Sequence, residues 1–446
     1  MNGHLATVGP ARSTDPAASL KQQRRTASIL TVRGLTHWWS PQTCFSDAGG
    51  TTVPADAGEV LLATDLGPGA TNATATAGNG LTYIANWKNG LPGWNSTAAT
   101  TDALVATGAL SAAYASAFSV YVVIGGTNDD DTRVAVGGAD WYLLKGARKV
   151  YGVNMGDLTD TQTDVSEDIL TQFAVLWVTW DGATRTVGMN GHYTTEACTG
   201  SFNPATALRI GSLSGGFPWI DGIGDVVVAN AAHSVDEAHQ VISMLHHRYQ
   251  KHSTITVDGD SISMGGGSEA LNQYTTSLGA KIEAALPGYA MNNYGISGQA
   301  VTDMDADQAT SVSRCRLPVA KNNIALCFGG TNDIEAAATA ATVYADMVTY
   351  STAARAAGQK CIVGTIIDRD WGSSDAAKDI VRAQVNAMIR ASGTDDFDGV
   401  ADFAARAEFA DASDTDYYMS DAIHPNEAGC VILAEVLATE VRRITL

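Results

Sequence analysis

The chain has 446 residues, 45% of them hydrophobic and 17% charged, a globular composition long enough for two or three cores, and two domains are the first expectation. A formal charge of −20 would repel a phosphate backbone, because nucleic-acid binding draws its affinity from clustered Lys and Arg, so nucleic acid is not expected as a partner. No run of about 18 apolar residues occurs and the first thirty residues lack the apolar core of a secretory signal, so neither a membrane span nor a signal peptide is expected.

Residues 1–34 carry Pro, Ser and Arg without a clear period and read as an extended or partly helical arm. Residues 35–250 read as all-β. Short β-rich runs, "FSVYVVI" at 118–124, "FAVLWVTW" at 173–180 and "GDVVVAN" at 224–230, alternate with Gly, Asp, Asn and Thr clusters. Asp181-Gly182 between two such runs predicts a hairpin, and a sheet sandwich follows. The pentapeptide GGTND at 125–129 lies between strand-like runs and predicts a loop with Asp129, Asp130 and Asp131 solvated at its tip; a calcium site is the sharper alternative. Eight of the nine tryptophans lie in this half. Aromatic faces can stack on sugars, but most of these residues are expected in the core, with Trp87, Trp94, Trp141 and Trp219 the ones nearest Gly, Asn or Pro.

Ser234, with Glu237 three residues on, predicts a capping box and a helix running to about Arg248. From residue 253 to 446 the texture changes. Runs "TITVDG", "NNIALCF", "CIVGTII" and "GVADFA" alternate with helical stretches at 269–286, 336–357, 374–391 and 426–443, which predicts a parallel sheet with helices on both faces. The six cysteines, Cys44, Cys198, Cys315, Cys327, Cys361 and Cys430, lack CxxC spacing, so no structural zinc site is expected; buried free thiols are the reading, with a Cys44–Cys198 bridge as the alternative.

The residues that carry chemistry concentrate in this second region. "TITVDGDSISMGGGS" places Ser261 just past an apolar strand, where ligands of open α/β sheets bind. A Ser-rich turn capping a helix is the plainer alternative for that stretch alone. "SDAIHPNEAGC" holds Asp421 and His424, which could supply the base a serine hydroxyl needs and the acceptor that fixes the imidazole tautomer. The other eight histidines, His4 to His252, all precede the strand that carries Ser261. In "MNNYGISGQAV" Gly298 can offer a backbone N–H, and in "NNIALCFGGTND" the Asn332 amide can project over the same sheet edge, two donors suited to a developing oxyanion.

In that order, "GDSI", "GISG", the second "GGTND" and "DAIHP" resemble the four signature blocks of the SGNH hydrolases, also called the GDSL esterase and lipase family. The resemblance covers residues 254–446. It implies a flavodoxin-like three-layer sandwich, Ser261 as nucleophile, His424 as base and Asp421 as its orienting partner. It also implies an oxyanion hole made of the Ser261 and Gly298 N–H groups and the Asn332 side chain, with no cofactor or metal. The stretch "LRIGSLSGGFPWIDGIGDVVVANAAHS" and its surroundings, mainly residues 100–250, resemble concanavalin A-like jelly rolls of the laminin-G type. Such domains often bind glycans. The expectation is therefore a 35–250 β-sandwich that presents a 253–446 serine esterase to an O-acetylated surface glycan. A lipase or thioesterase acting on longer acyl chains is one alternative, and a glycan-binding adhesin or virion-surface receptor-binding protein with secondary esterase activity is the other.

Overall fold

The computed structural model describes residues 29–88, 90–96, 102–109, 116–125, 133–137, 142–146, 149–152, 161–163, 173–198, 207–212, 219, 222–264, 277–310, 312–317, 320–372 and 375–446. Two sheets organise it. Among the described residues, seventeen strands of the first half join one antiparallel system, consistent with a β-sandwich. Its strands include β1 (Leu35–Phe45), β2 (Phe118–Ile124), β3 (Ala174–Trp180), β4 (Thr184–Met189), β5 (His192–Ala197) and β6 (Ile223–Ala229). β1 pairs with β6, β6 with β2, β2 with β3, and β3, β4 and β5 follow as consecutive hairpins, every pair antiparallel. At the first of these hairpins the Asp181 carboxylate accepts from the N–H groups of Ala183 (2.9 Å) and Thr184 (2.6 Å), which closes the expected turn.

The apolar runs of β2, β3 and β6 are continuous rather than alternating because both of their faces are covered. Trp39, Val120, Val122, Leu176, Val178, Val226 and Val228 point into the sandwich. Their neighbours Trp38, Tyr121, Val123, Val175, Trp177 and Val227 point the other way, onto helix α1 (Val235–Arg248) through its Ala238, Val241, Ile242 and Leu245. The capping box forms as the sequence predicts: Ser234 Oγ accepts from Glu237 N and Glu237 Oε2 accepts from Ser234 N. Ile29 and Val32, from the end of the N-terminal arm, are buried in the same cluster. Trp38, Trp39, Trp94, Trp177 and Trp219 are fully buried, so Trp94 and Trp219 join the core rather than a surface; Trp141 lies outside the described residues. All six cysteines are buried free thiols, and no Cys44–Cys198 bridge forms.

The second sheet is parallel throughout. β7 (Ser253–Gly259), β8 (Tyr289–Gly295), β9 (Asn323–Phe328), β10 (Lys360–Gly364) and β11 (Gly399–Ala401) stand in the order β8-β7-β9-β10-β11. This is the 2-1-3-4-5 order of flavodoxin-like sheets. Among the described residues seven α-helices accompany these strands: α2 (Ser261–Met264), α3 (Leu278–Ala285), α4 (Val301–Thr310), α5 (Thr331–Glu335), α6 (Ala340–Ala356), α7 (Asp375–Ala391) and α8 (Glu427–Thr445). Ile255, Val257, Ile324, Leu326 and Ile362 face α3 and α8, which contribute Leu278, Ile282, Leu433, Leu437 and Val441. The opposite face, with Ala325, Cys327, Cys361 and Val363, meets Val301 and Met304 of α4, Val343 and Met347 of α6 and Val385 and Ile389 of α7. The three layers expected of this half are therefore present.

Two elements depart from expectation. The run "CIVGTII" leaves the sheet at Gly364, because the Asn386 side chain takes over the backbone of Ile366, donating to its carbonyl and accepting from its N–H at 2.8 Å each. The expected helix at 269–286 is seen as α3 alone; residues 265–276 lie outside the described residues. Asn190, fully buried in the turn between β4 and β5, links the two halves: its Nδ2 donates to Asn292 Oδ1 of β8 at 2.9 Å, while its Oδ1 accepts from Val175 N and meets His246 Nε2 of α1, both at 3.0 Å.

Candidate active site

β7 and its two neighbours, β8 on one side and β9 on the other, are where the chain reverses its order of addition to the sheet, and ligands of open α/β sheets bind outside the carboxyl ends of strands at such a point. Ser261 stands there, one residue past Asp260 and at the start of the short α2. His424 approaches from the loop before α8. Its Nε2 lies 2.8 Å from Ser261 Oγ and its Nδ1 lies 2.8 Å from Asp421 Oδ2. An ionised carboxylate only accepts, so Nδ1 carries the proton that faces Asp421 and the neutral ring presents an Nε2 lone pair to the Ser261 hydroxyl.

The Asp421 loop is built for this. Asp421 Oδ1 accepts from the N–H groups of Ile423 (2.9 Å) and His424 (3.0 Å), and Ala422 between them is held at φ 52°, a left-handed conformation that an alanine adopts only when its surroundings impose it. Burial alone would raise the Asp421 pKa. The hydrogen bonds from the His424 ring and from the two backbone N–H groups outweigh it and hold the carboxyl below the usual carboxylate range. The His424 ring is thus faced by a carboxylate charge that is present at neutral pH.

The two remaining expected residues, Gly298 and Asn332, are tied together through Gln299. Ile296 N donates to Gly259 O at 2.9 Å, which ties the loop after β8 to the end of β7. Gly298 on that loop has φ 79°, a value that favours glycine, and its N–H carries no side chain beside it. Gly330, at φ 100°, turns the chain from β9 into α5 and so sets Asn332 at the same edge. Asn332 Nδ2 donates one hydrogen to Gln299 O at 3.0 Å, fixing the amide and leaving its second N–H to point elsewhere. Asp333, buried beside it, accepts from Val301 N, and Gln299 Nε2 donates to Asp307 Oδ2. The Asn-Asp pair of GGTND therefore clamps the Gly298–Val301 segment. The first GGTND, with Asn128 and Asp129 to Asp131, lies outside the described residues beyond Gly125.

The structure thus brings Ser261, His424 and Asp421 into one hydrogen-bonded chain and joins Gly298 to Asn332 through Gln299. Sequence reasoning did not find two of their neighbours. Asp260 is buried with its carboxyl pushed up to about 7 by desolvation, against the opposing pull of the Ile262 N–H and of the Arg369 charge. Arg369 comes from the polar stretch "DRDWG" after β10, whose position at the carboxyl end of a parallel strand was the one signal available. Among the described residues no group of three or more His, Cys, Asp or Glu side chains is arranged to hold a metal ion.

Comparison with curated protein sequences finds no match. Among solved structures, a member of the lipolytic G-D-S-L family from Veillonella parvula shares 23% identity, with 43% of this chain and 99% of that one aligned and a TM-score of 0.36. An acetyl-xylooligosaccharide esterase from Geobacillus shares 19% identity over 43% of this chain and 94% of its own, with a TM-score of 0.34. A Bacillus subtilis protein aligns over 83% of this chain and 86% of its own at 14% identity and a TM-score of 0.34. Residues 258–431 match the model of the GDSL-like lipase/acylhydrolase family, a stretch that takes in Ser261, Gly298, Asn332, Asp421 and His424.

Proposed function

We propose that the protein is a carboxylic ester hydrolase working through Ser261, His424 and Asp421. The observation that carries this reading is the continuous path Asp421 Oδ2, His424 Nδ1, His424 Nε2, Ser261 Oγ, with 2.8 Å at each hydrogen bond. Ser261 Oγ attacks the ester carbonyl carbon while His424 Nε2 takes its proton. The carbonyl oxygen becomes an oxyanion, received by the N–H groups of Ser261 and Gly298 and by the free N–H of the Asn332 amide. When the tetrahedral intermediate collapses, the carbon–oxygen bond to the alcohol breaks and His424 passes its proton to the leaving oxygen. Water then attacks the acyl-serine under the same base and releases the acid.

The favoured substrate is an O-acetylated glycan, with residues 35–250 as a concanavalin A-like, laminin-G-type jelly roll that holds the sugar and residues 253–446 as the hydrolase. The GDSL-like match and the polar setting of the site support an acyl ester; the glycan rests on the β-rich half beside it. Because the tryptophans of that half's core are buried, sugar contacts there would be made by other side chains.

Ser261→Ala tests the mechanism. Turnover of p-nitrophenyl acetate should drop on the order of 10⁴-fold or more while circular dichroism and the unfolding midpoint stay as in the parent, as removal of a triad nucleophile does elsewhere. Near-normal turnover by that variant would sink the assignment. A series of p-nitrophenyl esters of increasing chain length, run beside acetylated oligosaccharides, tests the substrate class. A rate that climbs with chain length would favour a lipase or thioesterase instead.

A further inference from the structure

Arg369 neighbours the residues of the site, through Thr331 and through its charge on Asp260, and is poorly satisfied. Its side chain is 12% exposed. Among the described residues its nearest acceptors are Asp370 O and Thr331 Oγ1, both at 3.4 Å, and Glu335 Oε2 at 3.8 Å. Well-formed N–H···O bonds cluster near 2.9–3.0 Å. Other arginines of the protein reach that range: Arg248 meets Asp225 at 2.8 Å, Arg390 meets Asp402 at 2.8 Å and Arg382 meets Asp368 at 2.7 Å. Arg369 is therefore a guanidinium removed from most of its water and given only long contacts in return.

Its position and orientation are nevertheless fixed. The guanidinium carbon lies 4.7 Å from the centre of the Trp371 ring, and Trp371 Nε1 donates to Asp379 Oδ1 at 3.0 Å, which holds the ring in place. The ring contact holds the guanidinium without using its N–H groups, whose acceptors among the described residues are all at 3.4 Å or more. Thr331, on one side, directly precedes Asn332. On the other side Asp370 N donates to Ala422 O at 2.8 Å, next to Asp421. Arg369 thus lies between the Asn332 strap and the His424 loop, close enough for its charge to act on the Asp260 carboxyl beside Ser261.

The surrounding acids are already engaged. Glu335 Oε1 meets Lys378 Nζ at 2.7 Å, Asp368 meets Arg382 at 2.7 Å, Asp370 Oδ1 accepts from Gly372 N at 2.7 Å, and Asp421 meets His424. In a chain of net charge −20, an under-coordinated guanidinium whose charge reaches Asp260, the residue before Ser261, is a local exception that suits an anion. We propose that Arg369 is a specificity residue that receives a carboxylate carried by the alcohol portion of the ester, so that the preferred substrates are acyl esters of carboxylate-bearing alcohols such as acidic sugars. This rests on the esterase reading above. A carboxylate matches the planar fork of Arg in bidentate geometry, and such charge-assisted pairs are stronger than neutral hydrogen bonds.

The test separates binding from turnover. In the Ser261→Ala protein, 4-acetoxybenzoate should bind about 10-fold or more tightly than its methyl ester, and the difference should vanish when Arg369→Gln is added. Arg369→Lys keeps the charge but loses the fork, so it should retain a difference at least about 3-fold smaller than the parent's; it decides the matter if the Gln variant does not fold. Equal binding of the acid and its methyl ester in Ser261→Ala, or a difference untouched by both Arg369 substitutions, overturns the proposal. With Ser261 intact, kcat/KM for the two esters is then compared. If neither ester is cleaved while the binding difference persists and depends on Arg369, the esterase reading falls and the anion site stands.

Discussion

Asp260 shows how much one buried side chain next to Ser261 can govern the pH response of the fold. With its carboxyl pushed from 3.8 up to about 7, the folded protein holds a proton there that the unfolded chain gives up at lower pH. That proton favours the folded state below the unfolded value, and the advantage is lost as pH rises from 3.8 through about 7. Above this window the buried carboxylate costs on the order of 4 kcal/mol relative to an unfolded one. Asp260→Asn keeps the shape without the charge and can still accept from Ile262 N at the 2.9 Å contact. The substitution should therefore be close to neutral for stability at pH 4 and stabilising by a few kcal/mol at pH 8, read from urea unfolding at the two pH values. The same effect at both would show that Asp260 does not change its charge on folding. Ser261, His424 and Asp421 could be singled out in the sequence because they fall in a set of short motifs in a fixed order, and the structure brings the three together, whereas Arg369 is an ordinary loop residue in sequence whose setting appears only through Trp371 and Thr331 beside it.

At the scale of elements, helix α1 is tied to the first sheet by a buried polar network as well as by its apolar face. Asp225 Oδ2 accepts from Arg248 Nε (2.8 Å) and Tyr249 OH (2.7 Å), and its Oδ1 accepts from Trp38 Nε1 (2.7 Å). The Arg248 Nη2 reaches Ser40 Oγ and Gln42 Oε1. Asp225 and Arg248 are both essentially inaccessible to solvent, so removing one strands the other without a counter-charge. Asp225→Ala should cost roughly 3–5 kcal/mol in urea unfolding; a loss below about 1 kcal/mol would mean that water enters and replaces the carboxylate. None of this network could be read from the chain, since its partners at 38, 40, 42, 225, 248 and 249 are brought together only by the β1–β6 pairing. What could be read were elements whose local signals agree with their burial: the apolar runs of β2, β3 and β6, the capping box of α1, and the Ala-rich α6 and α8. β8 escaped notice because "YAMNNYG" interrupts its apolar character with two asparagines. One of them, Asn293, spends its amide on Ser263 O and on Gly295 N, and the other on Asn190, so both are polar for reasons of partnership rather than exposure.

The two halves of the molecule, the β-rich one and the α/β one, could be independent or interdependent. All residues of the proposed reaction lie between 260 and 424, and the second sheet has helices of its own on both faces. Yet the junction is more than a tether. Leu317 is buried in the cluster under α1, Asn292 accepts a hydrogen bond from Asn190, and the His192 and Tyr294 rings pack at 5.4 Å. A fragment covering 251–446 would expose these groups to water while retaining the buried Lys251–Glu283 pair, whose separation is 2.8 Å. We expect it to fold with reduced stability, because apolar surface at Leu317 and around Tyr294 is returned to solvent at roughly 25 cal/mol per Å². On the proposed mechanism it should nevertheless hydrolyse p-nitrophenyl acetate with a kcat within about 10-fold of the full chain, since a small ester would need only Ser261, His424, Asp421 and the proposed oxyanion donors. The measurement is kcat together with a urea unfolding curve on the same preparation. A fragment that unfolds cooperatively but does not turn over would mean that contacts across the Asn190–Asn292 junction hold β8, and through it the Gly298 loop, in register with Ser261, and the β-rich half would then be part of the catalytic unit rather than its carrier.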